Sequence, residues 1–299
     1  GPRTTTGPFT RRPAGSGSGT QIEDVSLDGT SIVLKGNITT AGTSVGNTNN
    51  VGDVDFDGAV TIDGAITITT DVSNSTVNDG KIDFGTNTIE AEGNATDSLT
   101  LTSGSGTITL GGAVGGNTAL DSFAVNATAL NIAANITTAD GLIDINAPVT
   151  LTGAAVISSG SGGGNVDFSS TIGGGQNLDI LSGSGNVIIT GDIGATALTS
   201  LDINQSAGTG DITISGKIGT ADASGAGVTR IGNDGMTGTL TFGGIDYNTT
   251  GAQTYEADHI VMSGADPDFK TDNDNISFKD GGIKLATTSN LTVDTTDGQ

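Results

Sequence analysis

Short runs in which apolar and polar residues alternate recur along most of the chain. Alternation with period two is the pattern of a β-strand that buries one face and exposes the other. Clusters of Gly, Asn and Ser separate the runs, as is typical of tight turns. No apolar stripe of 3.6-residue period interrupts this pattern, so the sequence predicts an all-β protein. Clear examples of the runs are residues 66–69, 99–102, 143–145, 178–180 and 212–214.

The same phrases return at regular intervals along the chain. The stretch that begins with Ser103 to Gly106 matches the stretch that begins with Ser182 to Gly185. Shorter offsets, from Gly183 to Gly208 and from Asn165 to Asn186, divide these blocks into smaller units. Units of roughly 21–25 residues are typical of solenoids, which bury the apolar face of each unit by stacking it on its neighbours.

Together these two patterns predict a right-handed parallel β-solenoid with a thin core of Val, Ile and Leu. Residues 21–299 form the repeat domain, which at roughly 23 residues a repeat makes about twelve coils. The competing all-β interpretation is one or two Greek-key sandwiches. The repeat offsets favour coils over unrelated strands.

Composition agrees with a thin core. Only 33% of the residues are hydrophobic and 50 are Gly, against about 45–50% apolar residues in average domains. The 33 acidic and 10 basic residues give a net charge of −23, which argues against nucleic acid as a partner because phosphates attract Lys and Arg. The chain has no Cys, which excludes a disulfide scaffold, a thiolate zinc site and a Cys nucleophile. No apolar run approaches the roughly 18 residues of a membrane helix, so we expect no membrane span.

Residues 1–20 differ from the rest of the chain. They contain three Arg, three of the five Pro, no acidic residue and one large apolar residue. We predict an extended basic tail over residues 1–20 that lies against the acidic body, within one subunit or between subunits. The alternative is a flexible leader, which the polar composition also allows. Its candidate subunit-contact residues are Arg3, Phe9, Arg11 and Arg12.

The repeated phrases also carry a family resemblance. The stretches LTSGSGTITLGGAVGGNTALDSF, LSGSGNVIITGDIGATALTSLDI and GAQTYEADHIVMSG resemble the repeats of large bacterial β-strand-repeat exoproteins. Those repeats are similar in style to filamentous-haemagglutinin-type adhesins and autotransporter passengers. The resemblance covers roughly residues 50–299 and implies an extracellular, surface-associated protein without enzymatic activity.

One motif has the spacing of a calcium loop. Asp53, Asp55 and Asp57 stand at alternate positions before Gly58, as do the first oxygen ligands of an EF-hand loop. We therefore name Asp53, Asp55, Asp57 and Asp63 as candidate Ca²⁺ ligands. The alternative is a strand that buries Val54 and Phe56 and leaves its Asp residues in water. A second acidic stretch, which we interpret as a solvated loop, contains Asp266, Asp268, Asp272 and Asp274.

Signals for catalysis are weak. His259 is the only His in the chain, and nothing near it resembles the G-x-S-x-G turn that presents a nucleophilic Ser. Acidic pairs such as Asp144 and Asp179 could meet across coils as in a glycosidase, but a chain this rich in Asp forms such pairs by chance. We expect no enzymatic activity and name no catalytic residue.

The ends of a solenoid bear on its function. A parallel solenoid has two open edges, which pair with other chains unless something covers them. The alternating pattern continues through residues 283–285 and 291–293, and contacts that do not close on themselves build filaments. We therefore expect a secreted, cell-surface structural protein that assembles with itself into a fibre, sheath or coat. The alternative is part of an adhesin passenger that binds a host or polysaccharide ligand.

Overall fold

The structure is a computed structural model that describes residues 3–5, 9–11, 24–40, 52–71, 79–93, 96–219, 225–286 and 289–296. These residues form strands, turns and bends, and no described residue lies in a helix. The fold divides into two compact units, which are Gly1–Thr138 with Asn146–Pro148 and Ala139–Ile145 with Val149–Gln299.

The first unit holds eleven named strands among its described residues. They are β1 (Arg3–Thr5), β2 (Phe9–Arg11), β3 (Val25–Leu34), β4 (Ile38–Thr40), β5 (Val54–Ile62), β6 (Ala65–Thr69), β7 (Ile82–Asp83), β8 (Ile89–Ala91), β9 (Ser98–Leu110), β10 (Ser122–Ile132) and β11 (Ile136–Thr137).

Sixteen named strands follow in the described part of the chain, and they lie in the second unit apart from the last residue of β12. They are β12 (Ile143–Asn146), β13 (Val149–Leu151), β14 (Ala155–Ser158), β15 (Val166–Phe168), β16 (Ile172–Gly173), β17 (Asn177–Leu181), β18 (Val187–Ile189), β19 (Leu198–Ile203), β20 (Ile212–Ile214), β21 (Ala226–Gly232), β22 (Thr239–Phe242), β23 (Asp246–Thr249), β24 (Gln253–Met262), β25 (Asp268–Thr271), β26 (Ile276–Leu285) and β27 (Thr292–Asp294).

The strands of the first unit pair in parallel with the strands one coil later. Val25 pairs with Val54, and Val54 pairs in turn with Ile82. Two further columns of inward residues run beside this one in the same order of coils. Their members are Ile32, Val60 and Ile89 in one column and Ile38, Ile68, Leu101 and Val125 in the other.

The second unit repeats this arrangement with three columns of inward residues, which we call the first, second and third columns. The first column is Ile143, Val166, Val187, Ile212, Leu240, Ile260 and Ile283. The second column is Val149, Ile172, Ile193, Ile218, Tyr247, Phe269 and Val293. The third column is Ile157, Ile180, Ile203, Ile231, Tyr255 and Phe278.

The parallel register confirms a parallel β-solenoid. Every strand pair whose register is described is parallel, whereas a Greek-key sandwich is built of antiparallel sheets. Because apolar and polar residues alternate along each strand, the apolar side chains face the core and the polar ones face solvent. Ile143 and Ile145 are fully buried, and the intervening Asp144 is half-exposed on the outer surface. Handedness and the number of coils stay predictions.

Successive coils approach closely at one corner, where a Gly recurs in coil after coil. A Cβ added to Gly185 would lie 2.0 Å from the carbonyl oxygen of Gly164, and one added to Gly210 would lie 2.0 Å from the carbonyl oxygen of Gly185. Gly238 meets the carbonyl oxygen of Gly210 in the same way, at 2.4 Å. These positions require Gly because a neighbouring backbone occupies the space of a side chain.

A buried hydroxyl closes the same corner. Ser182 Oγ donates a hydrogen bond to the carbonyl oxygen of Gly185 at 2.7 Å. It accepts one from Asn204 Nδ2 at 2.9 Å, and Asn204 Oδ1 accepts from the backbone N–H of Ser182 at 2.9 Å. Ser103 Oγ donates to the carbonyl oxygen of Gly106 at 2.8 Å in the first unit, inside strand β9 and where its pairing with β10 shifts register. The Ser-Gly-Ser-Gly phrase thus makes the same side-chain to backbone hydrogen bond at both places.

The Gly185→Ala substitution tests the close approach at the corner. We expect the added methyl group to push two coils apart and to lower the free energy of unfolding by about 1–3 kcal/mol, as overpacking does elsewhere. Denaturant titration followed by far-ultraviolet circular dichroism measures this. Gly282→Ala is the matched control because no atom lies within 4 Å of its added Cβ. Equal stability of the two variants would contradict the steric explanation.

The Ser182→Ala substitution tests the buried hydroxyl. It leaves a carbonyl group and an amide N–H without their partner in a place that water does not reach, which costs about 1–3 kcal/mol. Ser184→Ala alters an exposed serine of the same turn and serves as the control. Thermal unfolding of the two variants side by side gives the comparison, and similar midpoints would refute the role of Ser182.

Candidate functional site

The last described coil exposes apolar side chains that continue the buried columns. Ile283 continues the first column from Ile260, and Val293 continues the second column from Phe269. Ile260 and Phe269 are fully buried, whereas Ile283 is 38% and Val293 46% exposed. Leu285, next to Ile283 on the same face and in register with Met262, is 36% exposed. We call Ile283, Leu285, Val293 and Phe278 the terminal apolar face.

An aromatic stack reaches the same face from inside. The rings of Tyr247 and Phe269 stack with centroids 4.6 Å apart, and Phe269 meets Phe278 edge to face at 5.2 Å. Tyr255 stacks on Phe278 at 5.2 Å. Tyr255 and Phe269 are fully buried, but Phe278 is half-exposed. Burial raises the pKa of Tyr255 well above its usual value, so this phenol stays neutral.

The strands that carry the terminal apolar face also have open edges. Within the described residues, β26 pairs with β24 and β27 pairs with β25, each along one edge. No other described strand pairs with their second edges, and an edge of this kind can recruit a further strand. The face therefore combines exposed apolar area with a hydrogen-bonding edge of fixed direction.

Toward the other end of the described chain, the inward apolar residues of strands β3 and β4 are buried. Val25 is 3% exposed, Ile32 is 1% and Ile38 is fully buried. The backbone of β1 pairs in parallel with β3, and the backbone of β2 pairs in parallel with β4.

Three of the four predicted subunit-contact residues lie in these first strands. Arg3 is in register with Ile32, Phe9 with Ile38 and Arg11 with Thr40. Arg12 lies outside the described residues. The boundary predicted at residue 20 also lies outside the described residues. Before this boundary, β1 and β2 pair in parallel with β3 and β4.

The predicted calcium ligands lie along an extended strand. Asp55 and Asp57 point outward from β5 on either side of the buried Phe56, and Asp53 and Asp63 directly precede and follow this strand. Carboxylates at alternate strand positions stand about 6.8 Å apart along the chain. Asp55 Oδ1 lies 2.8 Å from Lys81 Nζ, and Asp63 forms an ion pair with Lys35. Asp53 Oδ1 accepts a hydrogen bond from the backbone N–H of Lys81 at 2.9 Å. The strand spreads these carboxylates out, and calcium binding by the set stays a prediction.

The structure brings together a different acidic group. Among the described residues, Asp234, Glu256 and Asp280 form the one group of three acidic side chains with ligand oxygens within 4.8 Å of one another. Burial and a hydrogen bond with Asp280 raise the pKa of Glu256, and Lys279 Nζ lies 3.8 Å from its Oε2. Carboxylate oxygens suit Ca²⁺, which takes six to eight oxygen ligands. Sequence reasoning missed this group, although its members recur at about one coil period.

The second acidic stretch is divided among several contacts. Asp268 Oδ2 lies 2.7 Å from Lys270 Nζ, and Asp266 Oδ1 accepts a hydrogen bond from the backbone N–H of Asn290 at 2.7 Å. Asp272 and Asp274 are exposed. The interpretation of this stretch as a solvated loop is wrong for Asp268, because Asp268 begins strand β25.

Outward acidic residues of adjacent coils lie in register with one another, but Asp144 and Asp179 do not form a pair. Asp144 is in register with Asp167, and Asp179 is in register with Asp202. Arg230 binds Asp202 with its Nε 2.5 Å from Oδ1 and an Nη 2.6 Å from Oδ2. The pKa of Asp167 is raised by burial and then by the charge of Asp144. His259, the only His, is exposed on β24.

No family model, no curated protein and no solved structure matches the chain significantly. In the described part of the chain, no helix has the length and apolar character needed to cross a membrane.

The Asp167→Asn substitution tests the electrostatic cost of the paired carboxyls. A carboxyl whose pKa is higher in the folded than in the unfolded chain binds its proton more tightly when folded, so its ionisation opposes folding. We expect Asp167→Asn to stabilise the protein at pH 7, by no more than about 1 kcal/mol for a partly exposed group. This gain should shrink as the pH falls and wild-type Asp167 becomes protonated.

Denaturant titrations at neutral and acid pH measure this effect. Asp272→Asn removes one exposed charge in the same protein and controls for the lower net charge. A gain for Asp167→Asn that does not depend on pH, or that equals the gain of the control, would contradict the interpretation.

Proposed function

We propose that this chain is an extracellular structural protein, a self-assembling subunit of a cell-surface fibre, sheath or coat. The observation that supports this proposal most directly is the terminal apolar face. Among the described residues, side chains at positions that the preceding coils of the second unit bury are exposed there. A second solenoid end placed on this face would bury Ile283, Leu285 and Val293 and would continue their columns.

The rest of the described surface supports a stacking contact at the end over a binding site along the side. Other large apolar side chains with comparable exposure are Leu142, Ile188, Val228 and Ile245. Each is a single residue on its own strand or turn, and isolated apolar residues are normal on protein surfaces. The exposed apolar residues of β26 and β27 instead belong to neighbouring core columns.

The resemblance of the repeats to bacterial exoproteins is the basis for placing this assembly outside the cell. Repetition also suits a structural role, because a solenoid gains length by adding coils without changing its cross-section. The partner in this proposal is a second copy of the chain, with surface polysaccharide as a further contact. The proposal includes no catalytic step.

Negative-stain microscopy of the purified chain over a range of concentrations tests assembly. We expect regular filaments or sheets, and isolated particles at every concentration would contradict the proposal and favour the adhesin alternative. The experiment is run with millimolar Ca²⁺ and again with a chelator. Loss of assembly in the chelator would make the predicted ligands Asp53, Asp55 and Asp57 the first positions to mutate.

The double variant Ile283→Asp, Leu285→Asp tests the face itself. Two carboxylates would have to lose water for the ends to meet, so we expect the concentration needed for assembly to rise at least about tenfold, which is about 1.4 kcal/mol. Val228→Asp is the control, because Val228 is 42% exposed on a strand away from the last coil. Light scattering against concentration measures both variants, and equal effects would refute the role of the face.

A further inference from the structure

We infer that a charge-free sheet face of the first unit packs side by side against the same face of a second copy. This inference rests on the proposed function, because it names a lateral contact between chains that also assemble lengthwise. It is supported by the distribution of charge, by the register of short outward side chains and by the area of the face.

One sheet face of the first unit has no charged residue. Strands β4, β6, β9 and β10 lie side by side in parallel there. Their stretches 38–40, 65–69, 98–102 and 122–126 contain no Asp, Glu, Lys, Arg or His. We call the outward side chains of these stretches the neutral face. All of them are Thr, Ser, Ala or Asn, and each is half-exposed or exposed.

The sheet face formed by β3, β5 and β7 of the same unit is acidic. Asp28 is in register with Asp57 there, and Asp55 is in register with Asp83. The chain as a whole carries a net charge of −23, so two copies repel each other where acidic faces meet. Approach through the neutral face avoids these contacts. Depletion of charged residues is also what distinguishes the centre of a protein interface from other surface.

The outward side chains of the neutral face form regular rows. Thr67 is in register with Thr100. Thr69 is in register with Thr39 in the preceding coil and with Thr102 in the following one. Such rows repeat at about 4.8 Å across the strands and about 6.8 Å along them, so two copies of the face have matching repeats. Short side chains of facing sheets can interdigitate, and hydroxyl groups both donate and accept hydrogen bonds.

The area of the neutral face indicates where the contact acts. At the spacings of a parallel sheet, β4, β6, β9 and β10 offer a face of about 300 Å². A stable pair of proteins buries about 800 Å² on each partner, so a single pair of chains is held weakly. Copies aligned along two filaments repeat the contact many times, and repetition raises the overall affinity. We therefore expect the contact between filaments rather than between free chains.

The test uses filaments of two full-length variants. The acid-face variant carries Thr67→Asp and Thr102→Asp, and the base-face variant carries Thr67→Lys and Thr102→Lys. Wild-type filaments should associate sideways into sheets or bundles. Filaments of either variant alone should stay single, because like charges meet in the contact. Preformed filaments of the two variants should associate sideways when mixed. Negative-stain microscopy at physiological ionic strength gives the width of the assemblies.

Recovery on mixing identifies a contact between the two substituted faces. Each pair of substitutions changes the net charge of −23 by only two, so both kinds of filament stay strongly acidic and repel each other as whole particles. Attraction can therefore arise only where the new Asp and Lys side chains meet. A purely structural effect of the substitutions on the fold would not be reversed by mixing.

Control variants place the same charges elsewhere in the first unit. They carry Thr61→Asp with Thr107→Asp, or Thr61→Lys with Thr107→Lys, at half-exposed residues of β5 and β9 outside the neutral face. Filaments of each control should associate sideways as the wild type does, and a loss equal to that of the face variants would overturn the inference. Circular dichroism establishes that each variant keeps its strand content. If a double variant fails to fold, Thr100→Asp and Thr100→Lys replace the two face variants.

The outcomes separate this inference from the proposed function. A wild type that stays monomeric overturns both. Wild-type filaments that stay single overturn only the lateral contact. The lateral contact is also overturned if filaments of one face variant associate sideways by themselves, or if mixed filaments of the two face variants stay apart.

Discussion

The structure depends on one constraint, which is that a coil can bury its inward side chains only against the coils before and after it. A coil of roughly 25 residues offers a few inward positions, too few to form a core alone. In the second unit the three columns, such as the one from Ile143 through Leu240 to Ile260, are therefore buried by stacking. In the last described coil, at Ile283 and Val293, the same kinds of residue are exposed.

Close stacking also explains the residues that do not belong to the core. At the corner formed by Gly164, Gly185 and Gly210 the backbones come so near that no side chain fits between them. The buried Ser182 and Asn204 satisfy polar groups that the turn removes from water. On the outside, the same spacing places acidic residues of successive coils in register. This raises the pKa of Asp167 through burial and the nearby charge of Asp144. The packing of the core, the Gly residues at the corner and the contacts between surface carboxylates thus all depend on the close spacing of successive coils.

Much of the architecture could be predicted from the sequence, but the candidate site could not. Alternation in stretches such as residues 143–145 indicates which side chains face inward, and the recurrence of Ser-Gly-Ser-Gly indicates that units repeat. The Asp53, Asp55 and Asp57 motif has calcium-loop spacing, yet Val54 and Phe56 between them are buried in a strand. Burial of Val54 and Phe56 keeps the backbone extended there, so the carboxylates lie in a row along the chain.

The sequence by itself determined the strand periodicity, the parallel solenoid class and the excess of acidic charge, because these follow from local alternation, repetition and composition. Only the tertiary structure decided which residues meet across coils, because the coil length varies and each turn shifts the register of the next strand. The meeting of Asp234, Glu256 and Asp280 is one result. The exposure of Ile283, Leu285 and Val293 is another, since their sequence pattern is the same as that of buried strands and only the position of a neighbouring coil distinguishes them.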